Sequence, residues 1–314
     1  MSSLYANIPK AYIPLFKQEY RYYVYYGGRG GGKSENIAQC LVIMATQQKL
    51  RILCGREIQG SIKESVKSML ESWIEKLDLS DVFITKSQTI ICKLNGSEFI
   101  FLGFSKLKAT QIKSISNIDI TWFEEADVMS ERSYELIIPS VMRKPKSFCI
   151  VSFNPHLESD VVYKNFILEK PPAHSYVCKV NDDDNPFFEK SGLKYERDND
   201  SERVKLGYIT QDFYNWKWKG EILRQVKGAL FKDDTINAMA NNNIFRRGDY
   251  TRLIIAVDPA TTHKEHSNKF GIITAGLHKS GIMVILEDSS DIMSPLEFAI
   301  KVETLYNAYN ADCI

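Results

Sequence analysis

The sequence predicts an α/β fold with a mostly parallel sheet and helices on both faces. Three observations carry that expectation. Tyr22 to Tyr26 (YYVYY) is aromatic and β-branched, hence strand-like; Glu35 to Thr46 (ENIAQCLVIMAT) is an apolar run of helical length; and GGRGGGKS, residues 27–34, lies between them. The alternation then repeats, with Arg51 to Gly55 (RILCG) reading as a short buried strand and Ile58 to Lys76 showing apolar spacing suited to a helix. Strand, helix, strand, helix is the order of a parallel sheet, because parallel neighbours need a crossover between them.

Counting from Gly27, the glycine stretch fits G-x-x-x-x-G-K-S, ending in Gly32, Lys33 and Ser34. Such a loop points successive backbone N–H groups inward around phosphates, an approach that side chains would obstruct. Gly27, Gly28, Gly30, Gly31 and Gly32 leave the backbone bare. Lys33 is then the candidate for the β- and γ-phosphates and Ser34 for Mg²⁺, while the following helix offers its first amides to the anion. A flexible glycine linker would explain neither lysine nor serine at these offsets.

Ile118 to Asp127 (IDITWFEEAD) is an apolar strand that delivers Glu124 and Glu125 to its end, where ligands bind in open α/β sheets. One acid there suits a metal's water shell and its neighbour suits an attacking water. Ile90 to Phe104 reads as a hairpin turning at Asn95-Gly96, and Ser147 to Phe153 (SFCIVSF) as a further strand ending in Asn154-Pro155. Ser152 and Asn154 are candidates for sensing the γ-phosphate; the alternative is a plain turn after a strand.

Composition sets wider bounds. The chain has 314 residues, 44% of them hydrophobic, and a formal charge of +1, so no overall basic excess advertises a polyanion. Apolar runs such as Cys40 to Ala45 are too short to span a bilayer, and the N-terminus carries no visible secretory signal. A cytoplasmic, non-secreted protein is the expectation. Cys40, Cys54, Cys92, Cys149, Cys178 and Cys313 form no CxxC pair and read as reduced thiols, while His263 and His266 lie in a polar, loop-like run with little claim to a metal.

Together these motifs resemble the large terminase subunit of tailed bacteriophages and prophages, and in particular the group with GGRGGGKS, WFEEA and SFNP. The resemblance continues through Gly55-Arg-Glu57, Glu64-Ser-Val66, Asp184-Asn-Pro-Phe187, Trp218-Lys-Gly-Glu221, Gly228-Ala-Leu-Phe231 and Val257-Asp-Pro-Ala260, in family order. It implies a P-loop NTPase of the ASCE type that hydrolyses ATP with Mg²⁺ and drives double-stranded DNA into procapsids. Lys33 and Ser34 would bind phosphate and metal, Glu124 would be the metal-side acid, Glu125 the catalytic glutamate, and Ser152 with Asn154 the coupling pair. Arg29 matches a position that sets a cation against the γ-phosphate, as an arginine finger does; packing over the loop is its alternative. Arg56, just after a strand, is a second candidate, reaching a neighbouring subunit's nucleotide. The implied partners are DNA, the portal protein and the small terminase subunit, on a portal-bound ring whose isolated subunit is a monomer, in the cytoplasm of a bacterial host.

The resemblance divides the chain into an ATPase domain (residues 1–200), a lid or linker (201–247) and the opening of a ribonuclease-H-like α/β nuclease domain (248–314). The basic, aromatic stretch from Glu202 to Lys227 suits DNA phosphates or, as the favoured reading, a helical lid. The acids Asp182 to Asp184 read as a solvated loop. From Leu253, LIIAVDPA and FGIITAGLHKSGIMVILEDSS read as strands, the last two turning at Lys279-Ser-Gly281. Asp258 matches the family's first nuclease carboxylate, for Mg²⁺ or Mn²⁺, and Asp288 is a poor match to a second. The remaining acids would fall beyond Ile314, so the chain as given is expected to lack nuclease activity. A helicase or repair-type P-loop translocase, and a non-catalytic prophage remnant that binds nucleotide or capsid, are the competing readings.

Overall fold

The computed structural model describes residues 7–57, 66–104, 117–223, 246–259 and 270–314. The expected starts of the Ile58–Lys76 helix and the nuclease loop, Gly228 to Phe231, Arg224, Lys227, His263 and His266 lie outside them. The chain divides into two compact units, Met1–Asp233 and Asp234–Ile314. None of the described helices is long and apolar enough to cross a membrane.

The first unit is an eight-stranded sheet in the order β3-β4-β5-β2-β6-β7-β1-β8. Its strands are β1 (Tyr22–Tyr26), β2 (Arg51–Arg56), β3 (Phe83–Thr85), β4 (Thr89–Cys92), β5 (Glu98–Gly103), β6 (Ile120–Glu124), β7 (Phe148–Phe153) and β8 (Ser175–Lys179). The run from β5 to β8 is parallel throughout, and β3 and β4 add an antiparallel edge. Central strands are buried on both faces, so YYVYY and FCIVSF read as unbroken apolar runs rather than alternations.

Side chains still alternate between two cores. Tyr23, Tyr25, Ile52, Trp122 and Ile150 pack on one face with α1 (Lys33–Gln47) and α2 (Ser68–Lys76). Val24, Leu53, Phe123 and Val151 pack on the other with α3 (Glu131–Val141). α3 starts at a Ser130 cap that accepts the Ser133 N–H. Beyond its other end Arg21 donates to the carbonyls of Met142, Lys144 and Pro145. Helices therefore cover both faces, as the sequence predicts. The hairpin between β4 and β5 turns at Gly96, whose φ is 75°. Two further helices, α4 (Leu193–Lys205) and α5 (Gln211–Lys219), follow β8. All six cysteines are free.

The second unit holds an antiparallel sheet of β9 (Tyr250–Asp258), β10 (Gly271–His278) and β11 (Met283–Asp288), ordered β11-β10-β9. α6 (Pro295–Tyr309), opened by a Ser294–Glu297 capping box, sets Val302 and Leu305 on Leu253, Ile255 and Ile272. After it, Cys313 pairs in parallel with Ile254, and Asp312 accepts from Arg247 and from the Leu253 N–H.

Candidate nucleotide site

Because β1, β6 and β7 are parallel and in register, with Tyr26 opposite Phe153 and Glu124 opposite Ser152, their C-terminal ends share one edge of the sheet. The glycine loop, Glu125 and Asn154 emerge there together. They line a cleft of about 640 Å³ with Asp127, His156, Asn185 and Trp216.

The loop is held from behind by residues far along the chain. Gly28 donates its N–H to Asn181 Oδ1 (2.8 Å), Arg29 its N–H to the Lys217 carbonyl (2.7 Å), and Asn185 Nδ2 reaches the Gly30 carbonyl (2.7 Å). A Cβ on Gly28 would stand 2.1 Å from the Trp218 carbonyl oxygen, so glycine is needed there for close approach. Gly32, at the start of α1, has φ 70°, a left-handed conformation that glycine adopts without strain.

The segment packed on the loop, which carries α4 and α5, is tied together by two buried aspartates. Asp200 accepts from Lys217 Nζ (2.6 Å) and Trp218 Nε1 (3.1 Å), and Asp182 from Arg197 (2.8 Å) and Lys219 (3.0 Å). The expectation of a solvated acidic loop is thus corrected at Asp182, because two cations offset the cost of its burial. Lys217 and Lys219 are engaged in these pairs and Trp218 is fully buried, which fits the structural reading of the basic, aromatic stretch.

Lys33 is buried and donates to the carbonyls of Gly27 (2.9 Å) and Gly28 (2.7 Å). Burial pushes its pKa down to about 7, with Glu124 and Asp127 acting against the shift. Ser34 Oγ donates to Glu124 Oε1 at 2.9 Å. Burial raises the Glu124 carboxyl above the ordinary range, while Arg56 and Ser34 hold it back. Burial likewise raises Asp127.

Arg56 joins the two acids. Its Nε pairs with Glu124 Oε2 and its Nη1 lies 2.8 Å from Glu125 Oε2. Glu125 itself is exposed, with a left-handed backbone at φ 49°. In this geometry the guanidinium is buried between Glu124 and Glu125. The Arg29 side chain is exposed and makes no hydrogen bond or ion pair among the described residues. Ser152 is buried, and its hydroxyl accepts from Trp122 Nε1 at 2.9 Å; Asn154 stands on the cleft wall.

A family model described as the phage terminase large subunit matches residues 19–221. The chain belongs to the phage terminase large subunit family. Curated relatives include the PBSX phage terminase large subunit of Bacillus subtilis, 26% identical over 57% of this chain and 40% of the relative. Another is the large terminase subunit of Bacillus phage SPP1, 25% identical over 59% of this chain and 46% of the relative. The chain thus aligns with less than half the length of these relatives. The fold is shared with the large terminase of a thermophilic bacteriophage, at TM-score 0.56 and 12% identity over 96% of this chain and 74% of that one. The same phage protein in complex with ATP-gamma-S matches at TM-score 0.53 and 13% identity, over 98% of this chain and 82% of that one.

Among the terminase residues expected from sequence, Ser34 and Glu124 are hydrogen-bonded to each other, Lys33 is bonded to the glycine loop, and all three line one cleft with Arg29, Glu125 and Asn154. Asp258 lies in the second unit, exposed at the end of β9 opposite Gly271; Asp288 ends β11 opposite Ile273, at the same end of that sheet. Among the described residues, no group of three or more His, Cys, Asp or Glu is placed to hold a metal. Sequence reading missed Asn181, Asn185 and the Trp218 carbonyl as loop supports, and the bond from Arg56 to both glutamates. The recurrence of Asn-Pro just after the acidic run was the one available signal.

Proposed function

We propose that this chain binds ATP in the cleft and hydrolyses it to drive double-stranded DNA into a phage procapsid. The observation that carries the reading is a glycine-rich loop onto which Lys33 folds back, with the Ser34–Glu124 bond at its end and Glu125 beside it on the cleft wall. Loop amides from Gly30 to Ser34 and the start of α1 would cradle the phosphates, and the Lys33 ammonium would offset their charge. Ser34 and Glu124 are oxygen donors in contact, a set that fits a hard divalent cation such as Mg²⁺. Bound there, that ion would neutralise phosphate charge.

Glu125 is the base that orients the attacking water once its carboxylate leaves Arg56, and Arg29 supplies a cation over the transferred phosphoryl. Ser152 and Asn154 couple the phosphate to the sheet edge. DNA, the portal protein and the small terminase subunit are the proposed partners, on a ring formed at the portal inside the bacterial host. Asp258 is proposed as one carboxylate of a two-metal nuclease site.

Phosphate release from Mg-ATP, with and without linear duplex DNA, tests the reading. Turnover stimulated by duplex DNA is expected. Unwinding of duplex DNA would favour a helicase, and nucleotide binding with no turnover in the presence of portal and DNA would favour an inactive relative.

A further inference from the structure

Three consecutive residues of α5 each touch a different part of the cleft. The Trp218 carbonyl backs Gly28, the Lys217 carbonyl accepts the Arg29 N–H, and the Trp216 ring stands 5.9 Å from the His156 ring, at 57°. The first two contacts support the loop. The third does not touch it.

His156 is joined to Asn154 through Pro155, a buried proline whose ring fixes one of the dihedrals between them. The His156 side chain is exposed, and its ring contact with Trp216 is what restrains it, two residues from Asn154. On the other side, α5 is anchored by the Lys217–Asp200 pair and the fully buried Trp218, so Trp216 is set on a rigid support. The Trp216 indole N–H is also sealed from solvent and has no hydrogen-bond partner among the described residues. A buried donor left unpaired carries a local cost.

Resting on the nucleotide reading above, we propose that Trp216 is a positioning residue that acts through His156 to set Asn154 against a terminal phosphate. The ring pair then matters for a nucleoside triphosphate and not for a diphosphate, which has no group at that end of the cleft.

Calorimetric binding of ATPγS and of ADP to the full chain, with Mg²⁺ present, tests this in the unaltered protein and in Trp216→Leu, Trp216→Phe and His156→Ala. Trp216→Leu and His156→Ala are each expected to lower the preference for ATPγS over ADP by about two- to tenfold, the factor an aromatic pair is worth. ADP affinity should change less than ATPγS affinity, the double variant should lose no more than either single one, and Trp216→Phe should keep the preference. A purely structural tryptophan would weaken both nucleotides alike and lower the melting temperature. Equal weakening, an unchanged ratio, or additive losses in the double variant would overturn the assignment while leaving the nucleotide site standing. Failure of the unaltered chain to bind either nucleotide would overturn the nucleotide reading itself, and this inference with it.

Discussion

Replacing Arg56 by alanine leaves Glu124 buried with the Ser34 hydroxyl as its one hydrogen-bond partner among the described residues. The guanidinium now spans two acids of unequal worth, since the Glu124 side chain is 7% exposed and that of Glu125 is 59% exposed. The exposed contact is screened by water and contributes less than about 1 kcal/mol. Removing one partner of a buried pair costs about 3–5 kcal/mol, and the Ser34 bond places this case at the lower end, about 3 kcal/mol. The loss depends on pH in a definite sense. Burial already lifts the folded Glu124 value above its unfolded one, so its penalty is absent below the unfolded value and complete above the folded one. Without Arg56 the folded value rises further, so the penalty should grow as pH rises. Urea unfolding followed by circular dichroism should show about 3 kcal/mol lost at about pH 8 and distinctly less at about pH 5. Equal losses at both pH values, or a loss below about 1 kcal/mol at the higher one, would refute the reasoning.

Other consequences follow from the same contacts. Since burial holds Lys33 at about 7, ATP binding at about pH 8 should take up a proton and at about pH 6 should not, as calorimetry in buffers of different ionisation heat would show. Gly28→Ala drives a methyl into the Trp218 carbonyl and should cost about 1–3 kcal/mol by thermal unfolding; an unchanged melting temperature would contradict the close packing. Asp200→Ala strands Lys217 and frees the Trp218 N–H, so it should destabilise by about 3 kcal/mol, with Lys217→Ala adding little in a double-mutant cycle. Ser152→Ala removes the acceptor of a buried indole N–H and should cost about 1–3 kcal/mol by the same unfolding measurement.

Much of the first unit was legible because its signals are local. YYVYY, GGRGGGKS and the apolar helix lie side by side, and WFEE ends a strand whose apolar run is enough to recognise it. β8 was missed because it is half-buried at the sheet edge and shows no apolar run, and β3 because three residues carry no period. The acids at Asp182 to Asp184 looked solvated because their cations, Arg197 and Lys219, lie 15 and 37 positions away. The pairing of Arg56 was hidden for the same reason, since only folding brings it to Glu124, 68 positions on. Such pairings depend on tertiary approach, which no spacing along the chain encodes.

Glu125 is proposed above to activate water for ATP hydrolysis at the glycine loop. Phosphate release from Mg-ATP by the unaltered chain and by Glu125→Gln, with ATP binding measured in parallel, tests it most directly. Turnover that Glu125→Gln abolishes while ATP still binds is the expected result. Equal turnover in both proteins would contradict it.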